Sequence, residues 1–116
     1  MEDVKVVSTP EQRKKEATLI LEKYPGRIPC IIDRHASEKN LPEVTKKKFL
    51  CPKEMKIGEL LLVVRRRLTV APEVAVFFFV GNSIVPTSTV LSEVYENSKS
   101  EDLFLHLYYS GENTFG

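Results

Sequence analysis

Apolar residues recur along this chain in two rhythms. Over residues 10–24 they fall at helical spacing, with Ala17, Ile20, Leu21 and Tyr24 sharing a face while Arg13, Lys14 and Lys15 stay wet. Thr9-Pro10-Glu11-Gln12 is a start signal: Thr9 as N-cap, Pro10 at the first helical position, Gln12 closing a capping box. Pro25-Gly26 stops this helix. A stronger stripe, Ile57, Leu60, Leu61, Val64 and Leu68, predicts a helix over Ile57–Leu68, with Leu62 and Val63 broadening it towards a flank. Pro86-Thr87-Ser88 leads into a short third helix bearing Val90, Leu91, Val94 and Tyr95.

Elsewhere the period is two. Residues 27–33 read as a strand with Ile28, Cys30 and Ile32 on one face and Pro29 and Ile31 on the other. After a polar loop over 34–45, residues 46–52 send Lys46, Lys48 and Leu50 one way and Lys47, Phe49 and Cys51 the other, and Pro52 closes the strand. Three consecutive lysines suit a sheet edge, where they discourage chance pairing. An edge both apolar and basic can also accept an extra strand from a partner peptide. Residues 75–80, centred on Phe77-Phe78-Phe79, and 103–109 complete the strands; Leu103, Leu105, Leu107 and Tyr109 alternate with Phe104, His106 and Tyr108.

The order is helix, strand, strand, helix, strand, short helix, strand. A last strand lying parallel beside the first satisfies the crossover rule and gives an α+β fold, a β-grasp with a mixed four-stranded sheet and an added N-terminal helix. The Ile57–Leu68 helix covers one sheet face. The other, with Pro29, Ile31, Leu50 and Phe104, has only the narrow 10–24 helix to cover it.

Composition narrows the function. The 116 residues make one domain, and 42% apolar with 28% charged residues belongs to a folded chain. A net charge of +1 argues against nucleic acid as a partner. No apolar run reaches the ~18 residues of a membrane span, and Met1-Glu2-Asp3 opens no signal peptide, so a cytoplasmic setting is expected. Cys30 and Cys51 lack metal-ligand spacing and are expected to be reduced and unbridged. Pairing either with His35 or His106 gives a thiol and an imidazole but no third orienting residue and no glycine-rich oxyanion loop. No catalytic residue, metal or cofactor is expected.

Several motifs stand in a telling order: Lys23-Tyr24-Pro25-x-Arg27-Ile28-Pro29, Lys46-Lys47-Lys48-Phe49-Leu50, Ile57-Gly58-Glu59, Arg65-Arg66-Arg67, Phe77-Phe78-Phe79-Val80, and Tyr109-Ser110-Gly111-Glu112-Asn113-Thr114-Phe115-Gly116. From about Pro10 onwards the chain resembles the autophagy-related ubiquitin-like modifiers, the GABARAP-like proteins. The residues divide the chain into a flexible arm over 1–9, where Val4, Val6 and Val7 show no helical periodicity, an accessory helix over 10–24, the β-grasp domain over 25–109 and a flexible polar tail over 110–116, while the resemblance implies a β-grasp domain with added N-terminal helices. It implies conjugation of Gly116 to phosphatidylethanolamine by ubiquitin-like activating and conjugating enzymes, a processing and delipidating cysteine protease, and autophagosome localisation when lipidated. Receptors carrying an aromatic-x-x-aliphatic motif are the implied peptide partners of a monomer, with tubulin as a further candidate. A first peptide pocket would fall on Glu16, Ile20, Pro29, Ile31, Lys46, Lys48, Leu50 and Phe104. A second would fall on Phe49, Cys51, Pro52, Met55, Val63, Val64 and Arg67. An unconjugated β-grasp adaptor for peptides or tubulin remains the alternative. The chain departs from the family pattern at Pro10-Glu11-Gln12-Arg13, which lacks a preceding aromatic, at Cys51 in place of the commoner Val, and in a loop about one residue longer near His35 to Glu38.

Overall fold

The computed structural model describes residues 9–111. The arm expected over 1–9 (all but Thr9) and the tail from Glu112 to Gly116 therefore lie outside the described residues. Helix α1 spans Pro10–Lys23. Thr9 Oγ1 accepts from the Gln12 N–H at 3.1 Å and the Thr9 N–H donates to Gln12 Oε1 at 2.9 Å, which is the capping box those residues predict. The helix ends one residue earlier than expected, because Tyr24 turns out of helical geometry as its C-cap and is 44% exposed.

Strand β1 (Arg27–Arg34) pairs antiparallel with β2 (Lys48–Pro52), setting Pro29 opposite Leu50 and Cys30 opposite Phe49. The basic strand begins at Lys48 rather than Lys46. Buried Val44 donates its N–H to Tyr109 Oη at 2.9 Å, so the core fixes the approach, and pairing is first made where the Ile32 N–H donates to the Lys47 carbonyl at 2.8 Å.

Helix α2 occupies Ile57–Leu68, as its stripe predicts, and buries Ile57, Leu60, Val64 and Leu68. Glu59 Oε1 accepts from the Lys56 N–H at 2.9 Å, and Thr69, left-handed at φ 53°, ends the helix. Val63 is half-buried on the flank, but Leu62 is 55% exposed. Strand β3 (Phe77–Val80) turns through Gly81, at φ 61°, into the two-residue β4 (Ser83–Ile84), and α3 (Leu91–Ser98) leads to β5 (Leu105–Ser110).

The sheet order is β2-β1-β5-β3-β4, with β5 parallel to β1 and antiparallel to β3. This is the β-grasp order, with the four expected strands and a short fifth where the chain doubles back after Gly81. The last strand starts and ends later than 103–109. Leu103 lies at φ 66° in the preceding turn, and its side chain packs on the α1 side instead of the face it would share with Leu105. Ser110, expected in the tail, is buried in the strand.

The two sheet faces are unequal. Ile28, Cys30, Ile32, Leu105, Leu107 and Tyr109 point into the main core under α2 and α3. On the opposite face Ala17, Ile31 and Phe104 form a small buried cluster among the described residues, with Ile20 and Leu103 at its margin. At about 1.5–3 kcal/mol for each fully buried large side chain, α1 gains little from this contact. Two ion pairs supplement it, Arg13–Asp102 and Glu16–Lys48, each at 2.8 Å.

Candidate functional site

Strand β2 lies at the edge of the sheet, and its hydrogen-bond pattern identifies which backbone groups face outwards. In an antiparallel pair, residues alternate between bonding the partner and pointing away. Ile32 bonds Lys47 and the Lys53 N–H bonds the Gly26 carbonyl at 3.0 Å, so Phe49 and Cys51 bond β1 between them. Lys48 and Leu50 consequently turn their N–H and C=O groups to the open edge. Pro29, which has no N–H, faces Leu50 at a position where none is needed. Arg27 reaches over this edge, its Nη1 donating to the Leu50 carbonyl at 3.0 Å.

On the α1 side of the edge, Leu50 is 40% exposed beside buried Pro29, and Ile20 packs on buried Ile31 and Phe104. The Glu16–Lys48 ion pair spans the gap between α1 and β2. Lys46 precedes the strand and is exposed, whereas Lys47 is tied to Asp33 at 2.7 Å. On the α2 side, the Arg67 guanidinium sits 5.0 Å from the Phe49 ring centre, a cation–π contact. Phe49 and Met55 pack partly buried on the core that contains Cys51 and Val64, while Pro52 stays exposed at the end of the strand.

A family model described as "Autophagy protein Atg8 ubiquitin like" matches residues 12–116. The chain belongs to the Atg8 family. Autophagy-related protein 8d of Arabidopsis thaliana is 47% identical over 106 residues, covering 91% of this chain and 88% of that protein. Autophagy-related protein 8B of Oryza sativa subsp. indica is 46% identical over 112 residues, covering 97% and 93%. The crystal structure of Trypanosoma brucei ATG8 matches with a TM-score of 0.87 at 32% identity, over 99% of this chain and 100% of that one. The chain is thus an autophagy ubiquitin-like protein, and its β-grasp with an N-terminal helix is an Atg8 fold.

Within this Atg8 chain, the residues expected in the first pocket gather between α1 and β2, except Lys46, which stands ahead of the strand. Of those expected in the second, Phe49, Cys51, Met55 and Val64 share one core and Arg67 lies over Phe49, while Pro52 stays exposed and Val63 lies half-buried on the α2 flank. Two concavities of about 640 Å³ lie elsewhere, one lined by Arg13, Asp102, His106 and Tyr108, the other along the outer face of α1 at Leu19. Gly116 lies outside the described residues. The sequence reading misses Arg27 at the edge; only the hairpin register, with Arg27 opposite Pro52, brings it there.

Sequence reading also misses two buried carboxylates. Asp102 accepts from Arg13 Nε at 2.8 Å and from the Phe104 N–H at 2.9 Å, and lies 2.9 Å from His106 Nε2. Burial alone would raise its pKa; the bonds from Arg13, the Phe104 amide and His106 outweigh that and lower it. Glu38 behaves likewise. Against the effect of burial, N–H bonds from Gly111, Leu41 and Asn40 and the Ser110 hydroxyl bring it down to about 2.

The cysteines are buried and unbridged. Hydrogen bonding with Cys51, then burial, pushes the Cys30 thiol well above its ordinary value. His35 Nε2 lies 3.0 Å from Asn82 Oδ1 and its Nδ1 2.9 Å from Ser37 Oγ.

Proposed function

We propose that this Atg8-family chain is a modifier, not a catalyst. Its Gly116 is joined to phosphatidylethanolamine on autophagosomal membranes, and it recruits receptors by pairing their aromatic-x-x-aliphatic motifs with β2. The observation that carries the recruiting role is the open edge at Lys48 and Leu50, with apolar ground on both sides. A peptide strand bonded there directs residues three apart to opposite faces. The aromatic falls on the α1 side, against Leu50 and Ile20 over Pro29, Ile31 and Phe104. The aliphatic residue falls on the α2 side, near Phe49, Met55, Val63 and Arg67. Lys46 and Lys48 favour acidic residues just before the aromatic. Because α1 rests on a small apolar contact, it can yield to a bulky ring at modest cost.

The conjugation reading rests on the family match, which runs through residue 116. A carboxylate is a poor electrophile. The activating enzyme would join it to AMP with loss of pyrophosphate from ATP, and a cysteine thiolate would displace AMP to form a thioester. The lipid amine would then displace the thiol to form the amide. A glycine at that carbon has no Cβ to obstruct the approach. Two acyl chains then anchor the domain more firmly than one would.

The test has two arms. A Trp-x-x-Leu peptide is titrated against wild type, Leu50→Ala and Lys48→Ala, which should weaken binding by about 1–2 kcal/mol each. Equal affinities would remove the groove. Wild type and a Gly116-deleted form are incubated with both enzymes, ATP and phosphatidylethanolamine liposomes, then followed by flotation and intact mass. Lipid mass on wild type alone is expected; peptide binding with no lipid gain would leave the unconjugated adaptor.

A further inference from the structure

We propose that the Glu38 carboxylate fixes the point and direction at which the chain leaves the sheet after β5, making it a positioning residue for chemistry at Gly116; this rests on the conjugation reading above. Strand β5 runs between β1 and β3, so both neighbours set its course. Tyr109 lies opposite Arg34 on one side and Phe78 on the other, and Ser110 is opposite Phe77. Gly111 is the first residue past these ladders.

There Glu38 takes over. Its Oε1 accepts from the Gly111 N–H at 2.8 Å and from Ser110 Oγ at 3.0 Å. Its Oε2 accepts from the N–H groups of Asn40 and Leu41 at 2.8 and 2.7 Å. One oxygen thus holds the loop and the other holds the chain's exit. Glu38 and Ser110 are both buried, so water competes poorly for these bonds. The loop is itself fixed to β5: Leu41 and Val44 sit in the main core, and Tyr109 Oη donates to the Pro42 carbonyl at 2.7 Å while accepting from the Val44 N–H. The carboxylate is therefore a rigid point of the domain, not a swinging loop side chain.

Glycine's backbone freedom does not account for the exit. Gly111 is not among the residues at positive φ, and a Cβ there would meet the Ala75 carbonyl and Glu38 Oε1 at an ordinary 3.6 Å. The bond from its amide to Glu38 supplies a direction. From Gly111 to Gly116 a chain can reach at most about 17 Å. A base held at Gly111 gives whatever follows it one starting point and one initial direction. A released base leaves both open, so a reactive group at Gly116 would meet an enzyme's reactive centre less often.

The test compares wild type and Glu38→Gln, with Ile28→Val as a core-weakened control at the opposite end of β1. Gln keeps the shape but sets an NH₂ group against donors. Hydrogen exchange at the Gly111 amide reads the clamp, and kcat and KM for thioester formation on the activating enzyme read its consequence. In Glu38→Gln, Gly111 protection should fall about tenfold or more, and kcat should fall about fivefold with KM nearly constant, the signature of lost orientation rather than lost binding. Ile28→Val should charge like wild type. Unprotected Gly111 in wild type overturns the proposal, as does lost protection with unchanged kcat. If wild type takes no thioester at all, the conjugation reading fails and the positioning role falls with it.

Discussion

The Lys48 ammonium and the Glu16 carboxylate meet at 2.8 Å across the line where α1 faces the edge strand. Lys48 is therefore already ion-paired, and an acidic flank of the proposed peptide would have to compete with Glu16. Both side chains are partly solvated, so the pair contributes about 0–1 kcal/mol to folding. Glu16→Gln should leave the melting temperature nearly unchanged while raising the affinity for an acidic-flanked Trp-x-x-Leu peptide about two- to fivefold at low salt. Titration calorimetry at two ionic strengths checks this; unchanged affinity at low salt would show that Lys48 does not meet the acidic flank.

Glu38 should contribute strongly to the acid response of this domain. Its pKa falls from an ordinary 4.5 to about 2 on folding. A depressed folded value means the unfolded chain binds the proton first. The stabilisation is complete above about pH 5 and is lost as pH falls towards 2, amounting to about 3 kcal/mol for this buried group. Urea unfolding of wild type and Glu38→Gln should show a gap of that order at pH 7 that shrinks steadily between pH 5 and pH 2. A pH-independent gap would assign the loss to shape rather than charge.

The cysteines should behave as core residues. With the Cys30 thiol held up and buried, iodoacetamide at pH 8 should leave Cys30 unlabelled in the native protein and modify it only in denaturant. Replacing Cys30 and Cys51 together by Val should keep peptide affinity within a few-fold, as measured by the same titration. Rapid native labelling of Cys30 would contradict its placement.

Strand parity made both sheet faces legible from the sequence: Cys30, Phe49 and Cys51 on the α2 side, and Pro29, Ile31, Leu50 and Phe104 on the other, follow from alternation alone. The capping box at Thr9 and Gln12 and the bounds of α2 were equally readable, because caps and apolar stripes are local. What escaped was set by distant contacts. Lys46 stands outside the strand because Tyr109 and Val44 meet across the fold, and Arg27 reaches Leu50 only through the hairpin register. Glu38 sits among polar loop residues with no periodicity to mark it, and its partners Ser110 and Gly111 are separated from it by almost the whole domain. Leu103 follows the alternation of the last strand in sequence but not in space, since its left-handed backbone is a turn feature.

Asp102 links this buried chemistry to the proposed peptide groove. Its side chain is 4% exposed, and Arg13 of α1 and His106 of β5 both meet its Oδ2 while the Phe104 amide meets Oδ1. The carboxylate thus joins α1, the wall bearing Ile20, to the residue that floors the same side. Asp102→Asn keeps an oxygen for the Phe104 amide but turns an NH₂ towards the Arg13 guanidinium, so α1 loses its strongest polar anchor. The loss should be about 2–3 kcal/mol at neutral pH. Because the folded pKa of Asp102 is lowered, its contribution is full above the ordinary carboxylate range and is lost as the solution is acidified. Wild type and variant should therefore converge in stability as the pH is lowered below the ordinary carboxylate range. At neutral pH the variant should bind a Trp-x-x-Leu peptide several-fold more weakly, since a loosened α1 no longer presents Ile20 to the ring. A peptide with Ala in place of Trp should show the same weak affinity for both forms. Should Asp102→Asn bind the Trp peptide as tightly as wild type while its stability falls, α1 would be no part of the aromatic subsite.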